Sequence, residues 1–536
     1  MASKTRRFFI NGVTLTLSAL AMRLVSVIFN VYISNLAGSE AMGLFSLLGS
    51  VYALAITVAC AGINLGTTRL VSDALGVGDV HLAKRAVKKA LAVCLASASA
   101  ATVILFSLSN FIGNQVLSDS RAIPSLKCLA LSLVPIAICS CLSGYFTAAR
   151  RVKVNAAFGI VSQFVKIGAT MLFLTLFAGK DAETVCVMLV LGGAVAEFFS
   201  LVVTFCLYIY DTKFKLGVES SQGKSDSGII KKLLSITMPV TFSACIRSAL
   251  STIQHILIPK GIQKSGKSWS AALSSYGALH GMALPLLLFP SAFIYAFAGL
   301  LIPEISECCV RSDNERMKRV CFRSLTMSLF FSIGISGIMI FFSEELGMLI
   351  YNNSETVLYI RVLAPLIPVM YIDGTVDAIL KGSGHQVYSM NVNIADTLTA
   401  CIFALTLIPS LGIWGYVISI YATEILNTTL SLMKMISVSK IKPRVFHQVI
   451  MPIACIIGAT QISKLILSLV CDSFDKVFSL VLSIILTIGI YIALLLVTKT
   501  LSNDEFELLN ASFLSENQYQ RKFGQNSLQI REVYPK

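Results

Sequence analysis

The chain has 536 residues, of which 55% are hydrophobic and only 13% charged, and its mean hydropathy is +0.78. A soluble globular protein of that composition has too little polar surface to stay wetted, so the bilayer is the main solvent and a large soluble domain is excluded. The formal net charge of +15 would suit a nucleic-acid partner only if the cations gathered in one patch, so their placement has to be read along the chain.

A membrane crossing needs about 20 mostly apolar residues, and such runs recur with short polar joints between them. The predicted helices are, in order, 9–36, 42–64, 88–112, 125–148, 156–178, 184–209, 233–259, 272–302, 322–350, 357–381, 388–409, 412–436, 446–470 and 476–498. This is an all-α polytopic membrane protein of about fourteen transmembrane helices. The run after Lys4, Arg6 and Arg7 is too long for a signal-peptide core and reads as an uncleaved first helix.

Basic residues then mark alternate joints. Lys84, Arg85, Lys88 and Lys89 follow the second helix, Arg150, Arg151 and Lys153 the fourth, and Lys213, Lys215, Lys224, Lys231 and Lys232 the sixth. Arg311, Arg316, Lys318, Arg319 and Arg323 follow the eighth, and Lys440, Lys442 and Arg444 the twelfth. By the positive-inside rule these joints and both termini are cytoplasmic, so the charge is a topology signal with some attraction for anionic membrane lipid, and no nucleic acid is implied. Lys260, Lys264 and Lys267 break the rule in a joint assigned to the outside. The 14 cysteines lie scattered through the spans without zinc-ligand spacing and read as small apolar residues, with no metal implied.

A shift of half the length brings unusual residues into register. Ser18 to Arg23 matches Phe242 to Arg247, Lys84-Arg85 matches Lys318-Arg319, Leu133-Val134-Pro135 matches Leu366-Ile367-Pro368, and Ala196-Glu197 matches Thr423-Glu424. Two parallel six-helix lobes follow, 1–210 and 231–438, joined by a cytoplasmic linker 211–230, with helices 13 and 14 in 439–500 and a cytoplasmic tail 501–536. Such lobes enclose a midplane cavity that opens to either side in turn.

Charges inside the spans carry the functional information, because an ionised group near the bilayer centre costs about 2.5–3.5 kcal/mol on insertion scales and is rarely left facing lipid. The bases are Arg23, Lys166 and Arg247; the acids are Glu197, Asp373, Asp377, Asp396 and Glu424. Asp373 and Asp377 share a helix face, with Lys381 one turn on. Either these groups pair between helices, or the arginines line a wet cavity and grip an anionic head group, since a guanidinium fork matches phosphate oxygens. Gln254, His255 and His280 add polarity to the seventh and eighth helices, with His280 a candidate lining residue, and Pro239, Pro285 and Pro290 predict kinks there. The cavity candidates are thus Arg23, Arg247, Lys166, Glu197, Asp373, Asp377, Glu424, Gln254 and His280.

Gly261-Ile262-Gln263-Lys264-Ser265-Gly266-Lys267-Ser268 fits the Walker A pattern, but a phosphate cradle needs a strand before it. Here a transmembrane helix precedes it, so 261–268 is a decoy and no nucleotide or other cofactor is expected; sodium or proton remains open as a coupling ion.

RSALSTIQHILIPKGIQKSG from Arg247, YGALHGMALPLLLFPSAF from Tyr276, LLIPEISE from Leu300 and ILKGSGHQ from Ile379 resemble the stage V sporulation protein B family. That family is part of the multidrug, oligosaccharidyl-lipid and polysaccharide exporter superfamily, together with the lipid II flippases. The resemblance covers most of the chain and weakens in helices 13 and 14 and the tail. It implies a fourteen-helix exporter fold, not an enzyme, that moves undecaprenyl-pyrophosphate saccharides across the bacterial cytoplasmic membrane for peptidoglycan, spore-cortex or surface-polysaccharide synthesis, with Arg23 and Arg247 holding the pyrophosphate. Gln254 and Lys166 stand where the resemblance leads one to expect acids. The alternatives are a multidrug or cation antiporter of the same superfamily, which needs an intramembrane carboxylate, and a polytopic glycosyltransferase or ligase, for which no exposed catalytic loop is evident.

Overall fold

The computed structural model describes residues 2–177, 181–214, 228–441, 445–470, 476–498 and 500. Most of the expected 211–230 linker and the whole 501–536 tail lie outside the described residues. Within those described, every regular element is helical, as a chain in hydrocarbon requires when backbone N–H and C=O groups find no water to bond. The helices are α1 (Ala2–Cys60), α2 (Ile63–Gly76), α3 (Val80–Phe111), α4 (Ala122–Ala148), α5 (Val152–Leu176), α6 (Ala182–Phe214), α7 (Ile229–Lys264), α8 (Trp269–Tyr276), α9 (Leu284–Leu288) and α10 (Ser291–Val310). They continue with α11 (Asn314–Phe341), α12 (Ser343–Tyr351), α13 (Ser354–Leu363), α14 (Ile367–Gly382), α15 (Gln386–Leu411), α16 (Ile413–Ser439), α17 (Met451–Val470) and α18 (Lys476–Val497).

Thirteen helical runs among the described residues are long and apolar enough to cross a membrane. They correspond to the expected fourteen once three differences are traced. The first two expected helices both lie in α1, whose 59 residues form two helical arms meeting at Gly38, where φ is 76° and ψ 173°, inside the joint expected between 36 and 42. A side chain is strained in that left-handed region, so glycine permits the turn. The expected 272–302 helix is cut at Phe289–Pro290, where the missing proline N–H ends one run and α10 begins another. Helix α16 covers the expected 412–436. Pro239 and Pro259, by contrast, sit inside a continuous α7.

Contacts divide the chain into two compact units. One comprises the described residues up to 296, with 350–359 and 390–427. In it α3 packs on α4, α4 on α6, α5 on α6, and α1 on both α7 and α8. The Arg151 guanidinium pairs with the Asp211 carboxylate, which also accepts from the Tyr145 hydroxyl at 2.8 Å, fixing the ends of α4 and α6. The other unit comprises 297–349, 360–389 and the described residues from 428 onward. Its core joins Leu325, Phe330 and Ile333 of α11 to Val376 and Ile379 of α14, Ile456 of α17 and Tyr491 of α18. The Tyr491 hydroxyl donates to the Phe330 carbonyl at 2.9 Å, and Gln448 Nε2 to Thr326 Oγ1 at 2.6 Å. Large side chains such as Ile28, Phe242 and Leu465 are 61%, 71% and 62% exposed, a surface that only lipid solvates well.

Candidate functional site

The register of α7 against α1 relates the positions of the two arginines. Thr252 Oγ1 donates to the Ser50 carbonyl at 2.9 Å and Thr241 Oγ1 to the Ala61 carbonyl, so α7 runs antiparallel to the second part of α1. That register sets Arg247 level with Ala55. At 1.5 Å per residue Ala55 lies about 25 Å beyond the Gly38 turn and Arg23 about 22 Å before it. Both guanidinium-bearing residues are exposed. Arg23 Nη2 donates to the Leu288 carbonyl at 3.3 Å, and Ser291 Oγ donates to the same oxygen at 2.6 Å. Leu288 is the last residue before the Phe289–Pro290 interruption, so its carbonyl has lost its helical partner and draws a cation. Among the described residues no side chain or carbonyl engages Arg247.

A polar strip continues from Arg23. Ser26, one turn along, accepts from Gln163 Nε2 at 3.1 Å, and Lys166 lies one turn beyond Gln163 on α5. The Lys166 stem crosses Gly193 of α6, whose ideal Cβ would stand 3.9 Å from Lys166 Cε. One turn further on α6, Glu197 and Lys166 act electrostatically on one another. Glu197 also acts on Tyr52, whose hydroxyl shares a hydrogen bond with Ser132 at 2.6 Å. Two of the sequence-derived candidates are therefore neighbours on adjacent helices.

Other candidates lie elsewhere. Gln254 and Glu424 are half-buried in the first unit. Asp373 and Asp377 belong to the second, where Asp377 takes Lys381 Nζ at 2.5 Å and the Ser389 hydroxyl. Asp377 is thus engaged within its own unit. His280 is joined by residues the sequence reading left out of its candidate set: His255, with ring centres 4.6 Å apart; Tyr276, stacked on His280 at 5.2 Å; and Tyr416, whose hydroxyl is 3.3 Å from His280 Nδ1. Asp396, noted as an intramembrane acid, keeps a buried Oδ1 without a partner among the described residues. The 261–268 octet is the last turn of α7 and the joint to α8, with Lys267 Nζ donating to Ser275 Oγ at 3.2 Å; a helix, not a strand, leads into it.

Residues 9–309 match the family described as polysaccharide biosynthesis protein. The chain belongs to that family. A further match, to the MatE family, covers residues 271–406. Among relatives, stage V sporulation protein B of Bacillus subtilis (strain 168) is 26% identical over 512 residues, which is 94% of this chain and 98% of that protein. The lipid II flippase MurJ of Bacillus subtilis (strain 168) is 23% identical over 347 residues, 60% of this chain and 61% of that one. A solved structure of the lipid II flippase MurJ in an inward closed conformation superposes with a TM-score of 0.65 at 12% identity, covering 91% of this chain and 99% of that chain.

The family match, the helical runs long enough to cross a membrane and the shared fold make the chain a multi-pass membrane protein of the polysaccharide biosynthesis family. Arg23 falls inside the matched family segment, and so do Lys166, Glu197, Arg247, Gln254 and His280. Tyr416 carried no local sign of a role, because a tyrosine in an apolar helix gains meaning only from what it meets across the bundle.

Proposed function

We propose that this polysaccharide biosynthesis protein flips an undecaprenyl-pyrophosphate saccharide across the bacterial cytoplasmic membrane by alternating access between its two repeated six-helix lobes, with both termini on the cytoplasmic side. The observation that carries the reading is the pair of intramembrane arginines. Arg23 and Arg247 occupy equivalent places in the sequence repeat and leave donors free for an anion. A guanidinium presents five N–H donors and Arg23 uses one of them on Leu288. A diphosphate group offers oxygens to both forks. Lipid II flippase activity belongs, by name, to the MurJ relative, which makes a lipid-linked saccharide the first cargo to try.

The inside-negative potential drives an anion outward, worth about 2.3 kcal/mol per charge per 100 mV. The flippase therefore needs no nucleotide on this reading. The test is flipping of a labelled undecaprenyl-pyrophosphate saccharide in proteoliposomes, at equal folded incorporation of intact protein, Arg23→Ala and Arg247→Ala. Intact protein should flip the lipid and both variants should lose at least tenfold in rate; unchanged rates in both would reject the clamp. A second reading, a cation-coupled multidrug exporter, draws on the match to the MatE family over 271–406 and on the intramembrane acids Glu197 and Asp396. Efflux of cationic dyes without lipid flipping would put that reading first.

A further inference from the structure

The segment Gly277–Ala283 is a seven-residue π-helical stretch. π turns are rare, loosen the helix and cluster at functional places. This one carries His280 against His255 of α7, ring centres 4.6 Å apart. Each imidazole meets a tyrosine hydroxyl through Nδ1: His255 meets Tyr276 at 3.0 Å and His280 meets Tyr416 at 3.3 Å. A phenol hydroxyl donates to a neutral ring nitrogen and accepts from a protonated one. Either histidine therefore keeps its partner on gaining a proton, whereas two adjacent imidazolium ions would repel.

Among the described residues, tyrosine hydroxyls are the groups bonded to the two imidazoles, and neither ring makes an ion pair. On α1 the nearby polar groups are Ser39 and Ser46, while Glu40 is taken by Arg121. On α7, Lys260 turns to the Gln115 carbonyl, and on the α7–α8 joint Lys267 turns to Ser275. From α13, Thr356 reaches Met282, and Glu355 acts on Tyr359; from α15, Cys401 bonds the Leu250 carbonyl of α7; from α16 comes Tyr416. A proton on this half-buried pair would be a cation with no ion-pair partner among the described residues, so its binding favours whichever conformation lets more water in.

The same hairpin has a mechanical connection to the arginine site. Gly277 and Gly281 lie against Ser39, Met42 and Gly43, just past the turn of α1, and eight residues after His280 comes the Leu288 carbonyl that holds Arg23. We infer that His255 and His280 form a one-proton site, loaded from the side of the α7–α8 joint, whose occupancy shifts this hairpin and so loosens the Arg23–Leu288 contact. The inference rests on the flippase reading for its consequence, that proton entry accompanies anion release, but not for the existence of the site.

The chain's two tryptophans report on it directly, since Trp269 opens α8 and Trp414 stands two residues before Tyr416. In nanodiscs, intrinsic fluorescence of the intact protein should show a single-proton transition on acidification below about pH 6.5, where imidazole begins to gain its proton. His255→Asn and His280→Asn should each abolish it at unchanged monodispersity, while Asp119→Asn, beside Trp269, should leave it in place. In proteoliposomes an acid exterior should speed flipping severalfold by intact protein and not by His280→Asn. No transition in the intact protein, a transition surviving both histidine variants, or flipping indifferent to external pH despite the transition would each overturn the inference. A transition lost in both variants in a protein that flips no lipid would keep the proton site and overturn the flippase reading instead.

Discussion

Arg23 and Arg247 could be singled out from sequence because an arginine within an apolar run is costly anywhere in a membrane, whatever its neighbours. Lys166 and Glu197 stood out for the same reason, yet nothing local said that they face each other; 31 positions separate them, and their meeting depends on the rotation of α5 and α6. Gly193 lies under the lysine stem and Gly192 lets the two helices close on Thr170. Each charge acts on the other, so Lys166→Ala and Glu197→Ala should each lower thermal stability in detergent. Their double variant should lose less than the sum, by a coupling of about 0.5–3 kcal/mol. Strict additivity in that cycle would mean the two charges do not sense one another. The histidines show the reverse case. A lone histidine in an apolar helix is ordinarily a satisfied interior residue, and His255 became significant only beside His280.

At the scale of elements, the approach of α1 to the π-helical segment sets tight limits on side-chain size. A Cβ on Gly277 would fall 1.9 Å from the Ser39 carbonyl oxygen, whereas one on Gly49 in the same α1 meets nothing within 4 Å. Gly277→Ala should therefore destabilise by about 1–3 kcal/mol through overpacking, seen as earlier loss of folded monomer on heating, and Gly49→Ala should not. Equal melting of the two variants would show that the helices part easily here. The joint between α3 and α4 is held differently. Asp119 accepts from the Arg121 guanidinium at 2.7 Å and from Trp269 Nε1 at 3.0 Å, and Arg121 reaches Glu40 at 2.9 Å. Burial pushes the Asp119 carboxyl up, but these bonds and the guanidinium charge outweigh it and hold the group below its ordinary value. A carboxyl depressed in the folded state stabilises above its unfolded pKa, and that contribution is lost as pH falls through the folded value. Melting profiles should accordingly drop below about pH 4, with a shallower drop in Asp119→Asn; an identical acid limb in both would exclude the cluster as its source.

For the whole molecule, the excess of cations over anions and their placement bear on the direction of transport. On the proposed reading, a negative potential imposed inside proteoliposomes should accelerate outward flipping, with up to about 2.3 kcal/mol available per charge moved through 100 mV. A rate independent of potential would rule out the electrophoretic account, leaving the arginine clamp to be judged by its own variants.

The sequence by itself determined the solvent, the helical class, the approximate spans and the residues that have no business in lipid, because hydropathy and charge are summed over about 20 consecutive residues and need no partner. It also carried the family resemblance that the match over 9–309 bears out. The tertiary structure decided that Asp377 also takes the Ser389 hydroxyl of α15, that Lys166 comes to lie near Glu197 and that His255 meets His280. Those outcomes turn on the azimuth and depth at which separate helices pack, quantities set by many weak contacts across the bundle and encoded in no single stretch of chain.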